Sequence, residues 1–484
     1  MIGKIFTFKR AIEEAIPLSI PWIHRYTLKL IVPKRKNAGI ERRKFDHHFL
    51  SVMYGNSKHG SAMLAIPVIA SLTSRSFKII VEDENIERIN FDEQVDLVGI
   101  TATTALVERA YEIADIFRKK GIIVVMGGIH ASSFPEESLK HADVVVVGEA
   151  EPVWRDLIRD FKQKKLRKIY VSKKKVNLNI QPLPRYDLVN NRKYSFHNVQ
   201  TIRGCPNDCG YCSVPWFCGR EYRSKSVKRV IREIRILNSM QKKTIYICDD
   251  NFTVDVKRVK ILLKKLIPLR IKYSIQARLE IYKDTELLEL LHNSGCVNIV
   301  MGLESVNQSN LSFMNKKGNV DEYHEAVRTI QLHGLLVSGS FMLGQEGDDI
   351  TVFEKTVKFI RGTTMGNSII NIVTPLPGTA FYYKLEKEGR ILHKNWTSYD
   401  LKTVCFQPKH MSIKELQDGF RWVHQSVFKL DAIYLRMMNL YKVWNKGGYR
   451  LDRRDFLLLI NLISHDVAYS YPMAGCPKDS KTNI

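Results

Sequence analysis

The chain has 484 residues, of which 44% are hydrophobic and 26% charged, so it is long enough for two or three globular domains. Its formal net charge of +25 favours polyanionic partners, such as nucleic acid, a phosphorylated substrate or an anionic membrane surface. The basic residues are scattered through runs such as KKLRKIYVSKKK rather than interleaved with aromatic residues, which argues against a nucleic-acid motif and for an ordinary solvated surface.

The amino-terminal stretch and the cysteine content both predict a cytoplasmic protein. MIGKIFTFKRAIEEAIPLSIPWIH interrupts its apolar run with charges, so neither a signal peptide nor a membrane span is predicted there. Eight cysteines are too few for a disulfide-rich secreted fold of this length. In a reducing compartment, clustered cysteines indicate metal or redox chemistry.

Strands and helices alternate between residues 27 and 170. Strand patterns occur in TLKLIVP, FKIIVED, VDLVGITAT, IIVVMGGIH and ADVVVVGEAE, and helical spacing occurs in AMLAIPVIASLTS and LVERAYEIADIFRKKG. Runs such as IIVV and VVVV are apolar on both faces, as the strands of a helix-covered parallel sheet must be. The pattern predicts a doubly wound α/β domain, which binds ligands beyond the carboxyl ends of its strands.

A basic, proline-containing linker at residues 171–195 leads to a second series of strands and helices at 196–400. The six strand patterns are NVQTIRG, KTIYICDDN, IKYSIQARLE, VNIVMGLES, LLVSGSFMLG and SIINIVTPLPG. Six strand–helix units predict a partial parallel (βα)6 barrel of the TIM type, with its site where the strands end.

Two terminal segments complete the predicted organisation. Residues 1–26 are predicted to form an N-terminal extension, and residues 401–484 a mostly helical region in which Ser412 caps a helix. The predicted fold class is therefore α/β, with the doubly wound domain at 27–170 preceding the partial barrel.

Three cysteines with the spacing C-x3-C-x2-C, Cys205, Cys209 and Cys212, follow the first strand pattern of the barrel. Structural zinc prefers four ligands in two separated pairs, and Cys218 could add a fourth ligand, so counting alone leaves zinc open. A [4Fe–4S] cube can instead take three thiolates and leave its fourth iron open to a substrate or cofactor.

The triplet at the start of a barrel resembles the signature of the radical S-adenosylmethionine superfamily, in which an aromatic residue, here Tyr211, precedes the last cysteine. The resemblance implies a [4Fe–4S] cluster held by the three cysteines, with S-adenosylmethionine bound to the open iron. One electron then cleaves the sulfonium to methionine and a 5′-deoxyadenosyl radical, a reaction that requires water to be kept out.

The resemblance continues along the barrel, where residues after successive strands contact S-adenosylmethionine in the family. It implies that the acidic pair after the second strand meets the methionine amino group, that the G-x-x-E pattern meets the ribose, and that the glycine after the fifth strand lies beside the adenine. The implied cofactor-binding positions are Tyr211, Asp249, Asp250, Gln276, Arg278, Glu304, Ser305 and Gly344. A capping or turn role is the alternative for the two aspartates, and Gln276 and Arg278 suit the carboxylate, the substrate or a structural role.

The amino-terminal α/β region resembles the cobalamin-binding domains that precede this barrel in one subgroup of the superfamily. The resemblance rests on GGIHAS, ADVVVVGEAE and the following Trp154, within residues 45–160. It implies a corrin lying across the strand ends, and the implied cofactor-binding positions there are Thr101, Thr103, Gly127, Gly128 and Glu149. The D-x-H-x-x-G motif of mutase-type cobalamin domains is missing, so no histidine ligand to cobalt is implied.

Together these resemblances imply a cobalamin-dependent enzyme that methylates an unactivated carbon of a lipid, tetrapyrrole or secondary metabolite. S-adenosylmethionine is used twice in that scheme, once to methylate cobalamin and once to give the radical. The implied partners are the small-molecule or lipid substrate and an electron donor of the flavodoxin or ferredoxin type.

Two alternatives stay open. One is a cobalamin-independent radical enzyme that catalyses dehydration, cyclisation or carbon–carbon coupling, and the other is an RNA-modifying enzyme, which only the net charge favours. The tRNA methylthiotransferases are excluded, because they carry three cluster-binding cysteines in an amino-terminal domain, whereas Cys205 is the first cysteine of this chain.

Overall fold

The computed structural model describes residues 24–34 and 60–449 of the chain. The predicted N-terminal extension and the final part of the predicted helical region lie largely outside the described residues. Within them, two parallel six-stranded sheets follow one another along the chain, which confirms the predicted α/β class.

The first sheet has the strand order β2-β1-β3-β4-β5-β6, with all neighbouring strands parallel. The strands are β1 (Tyr26–Val32), β2 (Phe77–Asp83), β3 (Leu97–Thr101), β4 (Ile123–Gly127), β5 (Val144–Val147) and β6 (Ile169–Val171). The helices are α1 (Ala65–Leu72), α2 (Val107–Lys119), α3 (Ile129–Ser133), α4 (Pro135–Ser138) and α5 (Glu151–Lys162). Val124 and Val125 are both buried, but they pack into separate hydrophobic cores on opposite faces, as the doubly apolar strand pattern predicts.

Helix α2 illustrates how the local sequence determines this arrangement. Its apolar residues recur at helical spacing and are fully buried; they are Val107, Ala110, Ile113, Ala114 and Phe117. Glu108 in the first turn and Lys119 in the last complement the helix dipole. Gly121 follows with φ +76°, a conformation that glycine adopts without strain, and the chain turns into β4.

The second sheet has the order β14-β13-β12-β11-β10-β7 and is also entirely parallel. Its strands are β7 (His197–Val199), β10 (Ile245–Ile247), β11 (Tyr273–Ala277), β12 (Cys296–Glu304), β13 (Leu336–Leu343) and β14 (Asn367–Ile372). The helices are α6 (Val214–Phe217), α7 (Val227–Met240), α8 (Val256–Leu266), α9 (Thr285–Asn293), α10 (Gln308–Phe313), α11 (Tyr323–Leu332) and α12 (Thr351–Gly362). This open sheet is the predicted partial barrel.

The pattern NVQTIRG was predicted as one strand, but the structure divides it into two. β7 belongs to the barrel, whereas β8 (Ile202–Arg203) leaves it and pairs antiparallel with β9 (Arg223–Ser224). The chain therefore bends away from the barrel just before the first cysteine of the triplet.

Burial alternates along the barrel strands and distinguishes an outer face from an inner face. Met301 of β12 and Phe341 of β13 point outward and are buried beneath the helices. Val300 and Ser340, one residue earlier on each strand, stay partly accessible on the inner face. The inner face is thus the side of the sheet that can receive a ligand.

Three helices follow the last strand: α13 (Ala380–Lys387), α14 (Ile413–Val427) and α15 (Leu430–Lys446). The predicted cap at Ser412 is confirmed, because its hydroxyl accepts from the Glu415 amide (3.1 Å) while the Glu415 carboxylate accepts from the Ser412 amide (2.7 Å). None of the helices in the described part of the chain is both long and apolar enough to cross a bilayer.

Candidate active site

Cys205, Cys209 and Cys212 lie on the loop between β8 and α6, and all three thiols are free and partly accessible. Among residues 24–34 and 60–449, no three His, Cys, Asp or Glu side chains converge as a single metal ion requires. The ligands of an iron–sulfur cube bind three separate irons, so they do not need to converge on one point. Three soft sulfur donors without a fourth therefore suit an open [4Fe–4S] cluster better than a structural zinc ion.

Backbone hydrogen bonds fix this cysteine loop from three directions. The Gly204 amide donates to the Asp250 carboxylate after β10 (2.9 Å). The Gly210 amide donates to the Met314 carbonyl after α10 (3.0 Å), and the Gly210 carbonyl accepts from the Phe381 amide at the start of α13 (2.9 Å). These bonds hold the three cysteines on one ordered loop without any help from a ligand.

Gly204, directly before the first cysteine, is a glycine for steric reasons. Its φ is +90°, and a Cβ there would lie 2.4 Å from the Glu221 carbonyl oxygen and 3.2 Å from that of Gly219. The cysteine loop therefore packs backbone to backbone against residues 219–221.

Asp249 is fully buried, and hydrogen bonds occupy both of its carboxylate oxygens. They accept from the Thr201 amide (2.5 Å), the Thr201 hydroxyl (2.5 Å) and the Ile202 amide (2.9 Å). Burial raises the pKa of Asp249 to about 6, although the bonds from Thr201 and Ile202 act in the opposite direction. These contacts favour the structural alternative for Asp249, because they anchor the entry to the cysteine loop.

Gln276 and Arg278 follow one another along β11 and its end. The Gln276 amide donates to the Tyr246 hydroxyl on the neighbouring strand β10. The Arg278 guanidinium pairs with Glu280 (2.9 Å) and donates to the Lys317 carbonyl (2.9 Å). Arg278 also exerts its positive charge on two of the cysteine thiols, so it lies at the cluster end of the barrel.

Glu304 ends β12 in a left-handed conformation, with φ +67°, that is uncommon for a residue other than glycine. Its carboxylate is buried and lies 3.4 Å from the Lys316 ammonium nitrogen. Burial and the nearby Glu304 raise the pKa of Tyr211 well above its usual range, so this phenol stays neutral. Backbone strain of this kind is concentrated at functional sites.

Ser305 and Gly344 each contact nearby residues, and these contacts explain their residue types without a bound ligand. The Ser305 hydroxyl is buried and accepts from the Asn307 amide (3.0 Å). The Gly344 amide donates to Asp348 (3.0 Å), and a Cβ on Gly344 would lie 2.5 Å from a methyl carbon of Leu416. Both residues lie where the sequence predicted, at the ends of β12 and β13, but a local hydrogen bond accounts for the Ser305 hydroxyl and close packing against Leu416 accounts for the glycine at 344.

Lys316 is a site residue that the sequence analysis missed. Burial raises the pKa of Cys209, and the positive charges of Lys316 and Arg278 oppose that shift. Lys316 therefore lies between Glu304 and the cluster-binding loop. The only sequence signal is the basic pair in MNKKG, twelve residues after Glu304 and outside every strand pattern.

Four of the residues predicted to face cobalamin meet at one edge of the first sheet. Thr101 ends β3 and is in register with Gly127 at the end of β4, while Thr103 follows as an exposed residue. Gly128 has φ +101°, and a Cβ there would lie 2.7 Å from the Ala102 carbonyl oxygen. Glycine is therefore required at 128, where the turn after β4 packs against the end of β3, and this lies at the carboxyl edge of the sheet, where doubly wound domains bind their ligands.

Glu149, two residues beyond β5, turns instead towards the barrel. Its buried carboxylate accepts two hydrogen bonds from Arg223 (2.6 and 2.8 Å), one from the Val176 amide (2.9 Å) and one from Arg203 (3.3 Å). Burial alone would raise the pKa of Glu149, but the two guanidinium groups outweigh it and hold the pKa below its usual value. We call Glu149, Arg203 and Arg223 the interdomain clasp.

Three family models match the sequence. The radical SAM superfamily model matches residues 199–360, the B12 binding domain model matches residues 71–158, and a domain of unknown function matches residues 379–465. The first two matches coincide with the barrel and with the amino-terminal sheet.

Similar proteins include enzymes that transfer methyl groups. Bacteriochlorophyllide d C-8(2)-methyltransferase of Chlorobaculum tepidum is 31% identical over 385 residues, which cover 74% of this chain and 85% of the relative. Hopanoid C-2 methylase of Rhodopseudomonas palustris is 27% identical over 67% of this chain and 64% of its own length. The structure of the methyltransferase TsrM from Kitasatospora setae with cobalamin and a [4Fe–4S] cluster covers 92% of this chain and 99% of its own, with a TM-score of 0.65 and 14% identity. This last similarity shows a shared fold.

Proposed function

Because the chain belongs to the radical S-adenosylmethionine superfamily and carries its B12-binding domain, we propose that it methylates an unactivated carbon of a tetrapyrrole or lipid. When bound, the [4Fe–4S] cluster supplies the electron that cleaves S-adenosylmethionine to the 5′-deoxyadenosyl radical, and cobalamin supplies the methyl group. The two relatives act, by name, on a bacteriochlorophyllide and on a hopanoid, which are both large polycyclic molecules.

The interdomain clasp is the observation that carries this proposal. Glu149 follows the strand end of the B12-binding sheet, and Arg203 comes two residues before Cys205. Their contact brings the proposed corrin edge and the cluster loop to the same side of the molecule. Methyl transfer to a substrate radical needs such proximity, because both reagents must reach one carbon within the same enclosed site.

The inner face of the barrel suits an uncharged reacting group. The half-buried residues on its strands there are Asn198, Tyr246, Gln276, Val300, Gly302, Ser340, Met342, Ile369 and Asn371. These nine positions carry no carboxylate, ammonium or guanidinium group, and burial raises the pKa of Tyr246 to about 12, so it is neutral near pH 7. An uncharged surface that combines apolar side chains with hydrogen-bonding groups would orient a largely hydrophobic substrate and place no charge beside a carbon radical.

Anaerobic reconstitution with iron, sulfide and hydroxocobalamin tests the proposal. We expect the protein to retain about one cobalt per chain, the ratio that a single cobalamin site requires, and to keep a corrin spectrum after gel filtration. With reductant, S-adenosylmethionine and bacteriochlorophyllide d, we expect 5′-deoxyadenosine and S-adenosylhomocysteine in equal amounts with methylated product. Formation of 5′-deoxyadenosine without bound cobalt would contradict the proposal and favour the cobalamin-independent alternative.

Lys316 provides a specific prediction for this site. We propose that its ammonium group, which pairs with Glu304, also pairs with the carboxylate of S-adenosylmethionine. Lys316→Met is expected to weaken S-adenosylmethionine binding about 10- to 100-fold, since a charge-assisted hydrogen bond contributes roughly 1.5–3 kcal/mol. Equilibrium dialysis of the reconstituted protein measures the change, and the neighbouring exposed Lys317→Met is the matched control. Equal affinities for the two variants would refute the assignment.

A further inference from the structure

A compact group of exposed basic residues lies beside the cysteine loop and has no role in the chemistry described above. Lys173, Lys174 and Lys175 come from the linker and are all exposed, and Arg220 follows α6. Trp216 and Tyr222 lie in the same segment as Arg220 and are 38% and 40% exposed. We call these six residues the basic patch.

Direct contacts connect the basic patch to the cluster-binding loop. The Lys175 ammonium group donates to the Phe217 carbonyl of α6 (3.2 Å), which fixes the linker lysines against that helix. Arg220 pairs with Asp208 (2.5 Å), a residue between the first two cysteines. Residues 219–221 also pack against the backbone of Gly204. The basic patch is therefore the outer surface of the wall that holds the cysteines.

The basic patch keeps a net positive charge after its acidic neighbours are taken into account. Lys173 and Lys174 form no ion pair with the described residues, and Lys175 uses a neutral carbonyl as its partner. Two acidic residues adjoin these side chains: Asp208 pairs with Arg220, and Glu221 forms no ion pair with the described residues. The three lysines therefore outnumber the one unpaired carboxylate. Positive charge around two partly exposed aromatic side chains is complementary to an acidic protein surface.

We propose that the basic patch is the docking site of an acidic one-electron carrier protein of the flavodoxin or ferredoxin class. The inference rests on the proposed function, in which the reaction consumes an electron from outside the protein. The reduced carrier gives up one electron and is thereby oxidised, and the cluster accepts that electron and is reduced. That electron then enters the sulfonium, where a carbon–sulfur bond breaks to give methionine and the adenosyl radical.

The position and rigidity of the basic patch favour a protein carrier over a membrane. An electron carrier must dock where the path to the cluster is short, and the segment that bears Arg220 contacts the backbone of Gly204, directly before Cys205. Trp216 is not free to insert into lipid, because its ring packs on Gly378, where a Cβ would lie 2.6 Å from the indole.

Charge reversal at Lys173 and Lys174 tests the proposal, using reduced flavodoxin as the probe and the reconstituted full chain. The double variant Lys173→Glu/Lys174→Glu is expected to weaken flavodoxin binding about tenfold or more at low salt, with the difference shrinking as ionic strength rises. Isothermal calorimetry measures binding directly. With flavodoxin as donor, 5′-deoxyadenosine formation should fall in parallel, whereas with dithionite it should equal that of the unaltered protein.

The matched control is Lys119→Glu/Lys140→Glu, which makes the same charge change elsewhere. Both lysines are exposed and lie before strands β4 and β5, at the edge of the first sheet opposite the strand carboxyl ends. This control should bind flavodoxin like the unaltered protein. If both double variants lost flavodoxin affinity equally, the loss would be due to the change in net charge alone. That result would overturn the docking site.

Two further outcomes are decisive. If the Lys173/Lys174 variant loses binding to phosphatidylglycerol vesicles or to RNA while flavodoxin binding is unchanged, the basic patch serves that other partner and the proposal is wrong. If dithionite also fails to produce 5′-deoxyadenosine with the unaltered protein, the proposed function itself has failed, whereas loss of flavodoxin binding alone concerns only the docking site.

Discussion

Replacing Cys209 by serine is expected to abolish cluster binding and, with it, the reductive cleavage of S-adenosylmethionine. The loop offers three sulfur ligands, and a serine hydroxyl is a hard, protonated donor that holds iron poorly. With two thiolates remaining, the cube has too few protein ligands to persist. Iron and sulfide content, the charge-transfer absorption of the cluster and 5′-deoxyadenosine yield should all fall to background.

Cys218 provides the matched control for this prediction. It lies six residues after Cys212, is partly accessible, and has a thiol whose pKa burial raises to about 12. Because three cysteines complete the ligand set, Cys218→Ser should retain the cluster and its absorption. If the Cys209→Ser and Cys218→Ser variants lost the cluster equally, the protein would supply four ligands. The cluster would then have no open iron for S-adenosylmethionine.

The location of the site could be predicted from sequence because its parts are local. The cysteine spacing lies within eight residues, and a parallel sheet necessarily collects the ends of its strands at one edge. That is sufficient to place Asp249, Gln276 and Glu304 near the cysteines. The β8–β9 ribbon was missed because two residues per strand are too few to show a period of two.

What the individual side chains do could not be predicted in the same way, because it depends on partners far apart in sequence. Asp249 follows a strand as expected, yet its carboxylate is used by Thr201 and not by a ligand. Glu149 was predicted to face the corrin, whereas its oxygens bind Arg223, 74 residues away. A local motif cannot predict either partner, because a carboxylate at a strand end can bind a cofactor or form an ion pair equally well.

The interdomain clasp leads to the largest expected effect on stability. Glu149→Gln leaves the largely buried Arg223 guanidinium without its anion, whereas Arg203 keeps its ion pair with Glu151 (2.8 Å), so we expect a loss at or below the value of about 3–5 kcal/mol that is typical of breaking a buried ion pair from one side. Urea unfolding measured at pH 7 should detect this loss. Methyl transfer should fall more than 5′-deoxyadenosine formation, because the clasp connects the corrin edge to the cluster loop.

An exposed ion pair supplies the control for the clasp. Asp156 pairs with Arg159 on the surface of α5, where both side chains are about half exposed, and pairs of this kind contribute roughly 0–1 kcal/mol. Asp156→Asn should therefore leave the urea midpoint almost unchanged. If Glu149→Gln also left the urea midpoint almost unchanged, the interdomain clasp would not stabilise the protein. Another contact would then have to hold the proposed corrin edge beside the cysteine loop.

The clasp also predicts how stability depends on pH. Because the pKa of Glu149 is lower in the folded protein than its ordinary value of 4.5, the clasp stabilises the fold fully above that value and is lost as the pH falls through the lower, folded pKa. The stability difference between the unaltered protein and Glu149→Gln should hence be constant near neutrality and shrink below pH 4.5. A difference that grew on acidification would mean that the protonated carboxyl, and not the anion, holds the two arginines.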